Sequence, residues 1–250
     1  MKKWITLILA GVLSSSLVGC HRENVVLAEE KLFEVSAEIH SLDICINAAD
    51  FKIEQGDNFS ITSNLKYLSV SEKDGVLTIQ DKAKGNANYS GATLTLCLPN
   101  DVVFNDVDIT TGAAKMTVDT LSTQTLELKI GAGDVQFSSL TVLSEADIEG
   151  GAGEFTIVDG SMNDLSLEMG MGELNLTAVL LGNCDLEFGM GESNLTLLGE
   201  RDNYKIDMEK GIGSISIDGQ IVTNFSTSGN GQNHVKISGG VGAINLKFQN

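Results

Sequence analysis

Four segments between residues 130 and 195 decide the fold, because they repeat one pattern of glycines and apolar residues. They read IGAGDVQF (130–137), GGAGEFTI (150–157), MGMGELNL (169–176) and FGMGESNL (188–195). In each segment two glycines enclose one apolar residue, an acidic residue follows, and apolar and polar residues alternate on either side of the turn. A period of two is the signature of a strand with one buried face and one face in water.

The same turn recurs along the chain at a nearly constant spacing. Starting from a degenerate copy at 112–114, successive turns begin 19, 20, 19, 19, 22 and 29 residues apart. The glycines of the six complete turns are Gly131, Gly133, Gly151, Gly153, Gly170, Gly172, Gly189, Gly191, Gly211, Gly213, Gly240 and Gly242. A short unit repeated at a fixed period is typical of repeat proteins.

This period predicts an all-β fold: a β-solenoid, or single-stranded β-helix, of roughly 20-residue coils with Gly-x-Gly corners. Each coil is expected to stack on the previous one at ~4.8 Å, and the seven consecutive turns imply a stack roughly 30 Å tall. Glycine suits the corners because it reaches positive φ and lets neighbouring backbones approach closely. A β-sandwich is the competing architecture, but it does not require a near-constant spacing. The apolar residue inside each turn is expected to point into the core; these residues are Ala48, Ala113, Ala132, Ala152, Met171, Met190, Ile212 and Val241.

The chain before the repeats predicts a less regular β-rich cap segment at 32–100, followed by the solenoid repeats at 101–250. An outlying copy of the repeat at 42–51 (LDICINAADF) aligns position for position with 126–135, so residues 32–250 are interpreted as one continuous domain. Asp74-Gly75 predicts a hairpin. We expect the cap segment to cover the open end of the stack, since exposed terminal coils invite edge pairing.

The N-terminal segments follow one another in the order that is typical of a bacterial secretory signal peptide. Lys2 and Lys3 precede the apolar run 4–13 (WITLILAGVL), which is too short to span ~30 Å of hydrocarbon but suits the core of a signal peptide. Leu17-Val18-Gly19-Cys20 then resembles a lipoprotein box, in which the chain is cut before a cysteine that carries lipid.

This order predicts a lipoprotein signal peptide at 1–19, a lipidated tether at 20–31, and lipid on Cys20 as the membrane anchor. The mature protein would then be extracytoplasmic, in the cell envelope of a bacterium. The alternative is an ordinary signal peptide followed by an incidental cysteine.

Three other cysteines remain in the predicted mature chain. Cys184 shares its strand phase with Leu186 and Phe188, which predicts a buried side chain. Cys45 and Cys97 fall on the outward phase. They would pair if their strands were neighbours, but unpaired thiols are the expectation.

The charge balance excludes two classes of partner. Sixteen Lys and Arg against 34 Asp and Glu give a net charge of −18, and removal of residues 1–19 takes away two lysines and leaves −20. Such a surface has no electrostatic footprint for nucleic acid or for an anionic bilayer surface.

The 42% hydrophobic content excludes a disordered chain, because enough apolar surface is available to offset chain entropy.

Acidic residues follow the turns and are expected to form a column. If the coils are in register, Asp134, Glu154, Glu173 and Glu192 lie about 5 Å apart, and like charges at that distance repel. The favoured interpretation is that these side chains splay into water and are screened by salt. The alternative is a column of Ca²⁺ ions that bridges successive coils through carboxylate oxygens.

Residue types that support catalysis are sparse, so the chain is not expected to be an enzyme. His21, His40 and His234 lie far apart without metal-ligand spacing, and His234 is expected in a solvated loop. A phosphate-binding glycine motif is followed by a helix, whereas a strand follows each turn here. Acidic pairs leave a polysaccharide-processing β-helix enzyme as the least favoured alternative.

The chain resembles the bacterial "putative adhesin" β-strand-repeat family, whose domain is called the toastrack. LTLCLPND (94–101), TTGAAKMTV (110–118) and the four turn segments carry this resemblance, which covers about residues 35–248. It implies a secreted or membrane-associated β-solenoid with no established catalysis, and so a non-catalytic, adhesin-like or envelope-associated role with an unknown protein or glycan ligand. The alternative is an accessory or sensor lipoprotein that reports envelope stress to a membrane partner.

Overall fold

Strands form nearly all of the chain that can be described. The computed structural model of the protein describes residues 24–36, 38–85, 87–222 and 226–250. The strands are β1 (Asn24–Val25), β2 (Leu27–Glu34), β3 (Ser41–Gly56), β4 (Ser60–Leu65), β5 (Leu68–Lys73), β6 (Val76–Asp81), β7 (Ala87–Asn88), β8 (Thr93–Pro99), β9 (Phe104–Ile157), β10 (Gly160–Asn163), β11 (Leu165–Leu181), β12 (Asn183–Leu198), β13 (Tyr204–Ile217), β14 (Gln220–Val222), β15 (Ser226–Ser228) and β16 (Asn233–Gln249). A single 3₁₀ turn at Arg201–Asn203 is the one helical element in these ranges.

The predicted β-solenoid is confirmed, because equivalent residues of successive repeats pair in parallel. Gly172 pairs with Gly153 of the previous coil and with Gly191 of the next. Each coil has a strand that leads into the glycine corner, a strand that leaves it, and a return segment. The return segments also stack: Met162 in β10 pairs with Val142 on one side and Leu180 on the other. The corner therefore joins two strands of the same coil, and the coils grow along one axis.

The core consists of columns of aliphatic side chains on the inward phase of every coil. Leu128, Leu167 and Leu186 are fully buried on the strands before the corners. Phe155 and Leu174, which pair directly, are buried after them. Cys184 is buried as its strand phase predicts, and Cys45, Cys97 and Cys184 are all free thiols.

The second position of each Gly-x-Gly corner requires glycine for two reasons: its backbone has a positive φ, and the adjacent coil leaves no room for a Cβ. Gly172 has φ of +136°, and a Cβ there would lie 1.8 Å from the carbonyl oxygen of Gly153. The equivalent glycines meet the carbonyl of the adjacent coil in the same way; this glycine ladder is Gly133, Gly153, Gly172, Gly191, Gly242 and Gly213. No L side chain fits either condition, since such φ values belong essentially to glycine.

The expectation that the residue inside each turn points into the core is wrong. Met171, Met190, Val241 and Ile212 are 54%, 55%, 46% and 76% exposed, and the four alanines at this position are exposed or half-buried. The chain bends at the two glycines, so the residue between them lies on the convex side of the bend. The four large side chains occupy consecutive coils and form an apolar corner ridge.

The cap segment adds one more layer to the stack. β6 and β8 both pair in parallel with β3, and together they form a layer beneath the first complete coil. β5, β4 and β2 then pair antiparallel with this layer or with one another. The Asp74-Gly75 hairpin is present, with φ of 51° and 76°. The predicted tether at 20–31 is not all tether, because β2 begins at Leu27 and pairs with β4.

An asparagine closes the corner of the first coil, where later coils have glycine. Asn47 is not crowded there, because the layer beneath pairs with β3 only up to Cys45 and again from Asp50. Its side-chain amide donates to Asp81 Oδ2 at 2.8 Å, and the Tyr89 hydroxyl donates to the same oxygen at 2.7 Å. Burial, followed by the bond to Asp81, raises the pKa of Tyr89 to about 12, so the hydroxyl keeps its proton.

The last two coils do not stack in sequence order, which corrects the expectation that each coil lies on the previous one. β16 lies between β12 and β13, so β13 is the last coil, and the short strands β14 and β15 pair antiparallel with its far edge. Charged side chains pair between β16 and its two neighbours in this order. Lys236 in β16 donates to Asp185 Oδ2 of β12 at 2.9 Å. The His234 imidazole contacts the Asp207 carboxylate of β13, so His234 is a half-buried strand residue and not the predicted solvated loop residue.

Candidate binding groove

The predicted acidic column after the corners exists, and its charges are compensated by neighbouring side chains. Glu173 pairs in register with Glu154 and Glu192. Glu154 Oε1 accepts a hydrogen bond from Thr156 at 3.3 Å, and Glu173 Oε1 accepts one from Asn175 at 3.0 Å. We call Asp134, Glu154, Glu173 and Glu192 the outer column. The hydrogen bonds that its three glutamates accept reduce the repulsion that sequence reasoning anticipated.

An asparagine ladder runs beside the outer column. The Asn194 amide donates to Asn175 Oδ1 at 3.0 Å, and the Asn245 amide donates to Asn194 Oδ1 and Glu192 Oε1, both at 3.0 Å. Ser216 then donates to Asn245 Oδ1 at 2.9 Å and ends the ladder on the last coil. Sequence reasoning missed this feature, although an asparagine stands three residues after the second glycine in three repeats.

Calcium is expected to add nothing specific to the stability of the outer column. Its glutamates already accept hydrogen bonds, and among the described residues no three His, Cys, Asp or Glu side chains form a cluster that could hold a metal ion. Millimolar CaCl₂ should therefore raise Tm no more than NaCl of matched ionic strength. A larger rise with calcium, measured by thermal melting, would establish the bridging alternative.

A groove runs along the stack on the side of the strands that lead into the corners. Its volume is about 810 Å³, and it extends over six coils, from Thr110 to Ser238. Ile130, Met169 and Phe188 contribute apolar surface to it, together with the backbone of the first corner glycines. A second column of carboxylates lines it, the groove column: Glu149, Glu168 and Glu187.

The groove column differs from the outer column in having almost no compensation. Lys129 Nζ lies 3.7 Å from Glu149 Oε1, in the coil before it. Within the described ranges, Glu168 and Glu187 form no hydrogen bond or ion pair through their side chains. Three like charges on adjacent coils therefore face the groove; Lys129 lies at one end, and Lys236, which donates to Asp185, is attracted by Glu187 at the other.

A second depression, whose charged lining residues are all acidic, lies near the first coils, and the pKa of one of its carboxyl groups is raised. It has a volume of about 420 Å³ and is lined by Asp108, Glu127 and Asp147, among others. Loss of solvent, followed by repulsion from Glu127 and Asp43, raises the pKa of the Asp108 carboxyl, while Lys129 acts in the opposite direction. The charged form of Asp108 is therefore disfavoured in the folded protein.

Replacing Asp108 with asparagine is expected to stabilise the protein at neutral pH. An acid whose pKa is raised by folding destabilises the native state above that folded pKa, and the penalty disappears as the pH falls to the unfolded value. Asp108→Asn should raise Tm at pH 7 and leave Tm unchanged in acid, where both proteins are neutral at this position. An equal shift at both pH values would show that repulsion is not the cause.

The described residues hold no recognisable catalytic set. Free Cys184 is an inert thiol, because burial raises its pKa to about 11. His40 and His234 lie on different coils at opposite ends of the stack. Cys20 and His21 lie outside the described residues. In the part of the chain that the structure describes, no helix has the length and apolarity needed to cross a bilayer.

Comparisons with known proteins identify a family. The model of the family described as Toastrack DUF4097 matches residues 36–247. A solved structure from Clostridium sporogenes, named a "putative cell adhesion protein", is 18% identical over 88% of this chain and 99% of its own, with a TM-score of 0.39. A "putative adhesin" from Bacteroides fragilis is 14% identical over 87% of this chain and 95% of its own, with a TM-score of 0.40. No curated protein matches the chain.

Proposed function

Because this chain belongs to the Toastrack DUF4097 family, we propose that it is a lipid-anchored, extracytoplasmic surface protein with a non-catalytic binding role. The observation that carries the binding role is the groove of about 810 Å³, along which three successive coils present a carboxylate at the same position. A repeated arrangement of this kind suits an extended ligand. A catalytic centre instead needs one unique set of side chains in a fixed geometry.

We propose that lipid on Cys20 anchors the protein to the membrane. The lipoprotein box that ends at Cys20 supports this proposal. Cys20→Ala in the full-length chain is expected to move the protein from the detergent phase to the aqueous phase when cells are extracted with a phase-separating non-ionic detergent. Two or three acyl chains anchor stably, whereas a protein without them and without an apolar span does not.

The free thiol Cys97 provides the matched control for this experiment. Cys97→Ala removes a cysteine from a half-buried strand position and should leave the protein in the detergent phase. Mass spectrometry of the N-terminal peptide should show diacylglycerol on Cys20 in both the unmodified chain and this control. An unlipidated N-terminus, or a Cys20→Ala protein that stays in the detergent phase, would refute the anchor.

The corner ridge favours a second candidate, an accessory or sensor lipoprotein with a protein partner. Met171, Met190, Val241 and Ile212 expose apolar surface on consecutive coils, and contiguous exposed apolar surface is typical of protein–protein contacts. Crosslinking on intact cells separates the two candidates. A membrane signalling protein that is captured by the unmodified chain and lost with Met190→Asp would support the sensor, whereas capture of glycan would support adhesion.

A further inference from the structure

The corner ridge is a single row of apolar side chains with carboxylates on both sides. On the coil of Met171, Glu168 stands three residues before it and Glu173 two residues after it. The coils of Met190 and Ala152 repeat this arrangement with the neighbouring members of the groove column and the outer column, and the carboxylates of both columns on these coils are exposed. Because the chain bends at the two glycines, one column lies on each side of the bend.

The two cations nearest the groove column are bound mainly by other carboxylates. Lys129 donates to Glu127 at 2.6 Å, and Lys236 donates to Asp185 at 2.9 Å; each is attracted more weakly by one end of the groove column. The hydroxyl and amide donors that contact the outer column are uncharged, so its negative charge remains. The ridge therefore combines exposed apolar surface with negative charge on both sides.

This combination disfavours two occupants of the ridge and favours a third. A second copy of the chain would bring the same carboxylates against the ridge, and like charges across an interface repel each other. A bilayer surface would bring the carboxylates among lipid headgroups, and the anionic headgroups would repel them. A protein segment with an apolar stripe between two rows of Lys or Arg has the complementary pattern.

The dimensions of the ridge fit an α-helix that lies along the stack. Ridge residues recur every ~4.8 Å, close to the ~5.4 Å pitch of a helix. The apolar stripe of an amphipathic helix has two columns of side chains, at positions a and d of a heptad, and the shallow groove between them accommodates a single row. Over four coils the two repeats drift apart by about 2 Å, which the flexible Met171 and Met190 side chains can absorb.

We propose that the corner ridge docks a basic amphipathic helix of a protein partner, with the helix axis along the stack and its Lys or Arg side chains on both acidic columns. This inference rests on the protein-partner candidate proposed above and deepens it by naming the chemistry of the partner. Burial of the apolar ridge stabilises the complex, and the carboxylates on either side select basic helices over acidic ones.

Three peptides of about 18 residues test the chemistry of the partner on the full-length protein in non-ionic detergent. The first has Leu at a and d and Lys at e and g, the second has the same composition in an order without a stripe, and the third has Glu in place of Lys. Fluorescence anisotropy at about 0.15 M salt, against a detergent blank, should show the first peptide binding at least about tenfold more tightly than either control. An equal affinity for either control would overturn the proposal, because net attraction to the −18 surface or apolar contact alone would then explain binding.

Matched apolar variants locate the site. Met171→Ser combined with Met190→Ser should weaken binding of the first peptide at least about tenfold. Leu143→Ser combined with Val158→Ser removes two side chains that are equally exposed but lie away from the ridge, and it should leave the affinity unchanged. Equal losses in the two double variants would overturn the proposal.

Matched charge variants test whether both acidic columns take part. Glu168→Gln and Glu173→Gln, one on each side of the ridge, should each weaken binding about threefold, as expected for exposed ion pairs, whereas Glu145→Gln should not. A loss with Glu168→Gln alone would place the peptide in the groove instead of on the ridge and would overturn the proposal. Failure of the peptides leaves the crosslinking on intact cells unaffected, so a wrong class of partner is distinguishable from the absence of a protein partner.

Discussion

Replacing Gly172 with alanine is expected to destabilise the protein by about 3 kcal/mol or more, which lowers Tm by on the order of 10 °C. Two costs combine at this position. Alanine disfavours φ of +136°, and its Cβ would lie 1.8 Å from the carbonyl oxygen of Gly153, which is backbone and cannot rotate away. The coils would have to separate locally, and the parallel hydrogen bonds at the corner would be lost.

Met171→Ala is the matched control, one residue earlier in the same turn. The Met171 side chain is 54% exposed on the corner ridge, so its truncation should change the free energy of unfolding by less than about 0.5 kcal/mol. Denaturant unfolding of both variants measures the difference. A neutral Gly172→Ala variant would contradict the close approach of backbones that defines the glycine ladder.

Ending the chain after residue 232 is expected to release β13 as well as the missing β16. β16 contacts β12 on one side and β13 on the other, and its Val235, Ile237 and Leu246 side chains are fully buried. Each such side chain contributes roughly 2 kcal/mol on burial. Limited proteolysis with mass spectrometry should therefore find cleavage within 204–217 in the shortened chain but not in the full chain.

A second truncation, after Leu198, tests whether β13 adds stability when β16 is absent. It removes β13 together with β16 and leaves β12 as the end of the stack. This shorter chain should melt no lower than the chain that ends at residue 232, because β13 without β16 contributes no packed coil. Protection of β13 in the longer truncation would mean that β13 can stack directly on β12, in sequence order.

The architecture could be predicted from the sequence because the repeat constrains it twice. Alternation fixes which side chains are buried, as Leu174 and Phe155 confirm, and the constant 19–20 residue spacing fixes which of them meet. A one-residue slip would turn every apolar side chain toward water. The outer column followed from the same logic, since Glu154 and Glu173 share a repeat position and pair in register.

Other features depend on geometry that a linear pattern does not contain. Alternation alone places Met190 inward, but the bend at its two flanking glycines turns it outward. The insertion of β16 between β12 and β13 follows from contacts between distant residues, such as Lys236 with Asp185. The longer intervals of 22 and 29 residues marked that region as irregular without revealing its order. The groove column became recognisable only when its carboxylates, of which Glu149 alone has an ion pair among the described residues, could be compared with the hydrogen-bonded outer column.

The two ends of the stack are each specialised, whereas the coils between them share one corner geometry and one register. Asn47 and the cap segment terminate one end. β16 and β13, which stack out of sequence order, terminate the other. Duplication or loss of a unit between residues 112 and 198 would thus leave both terminations intact and lengthen or shorten the molecule by ~4.8 Å. Unequal recombination within this tract would therefore change the length of the stack, and the number of charges aligned along the groove, without a new fold.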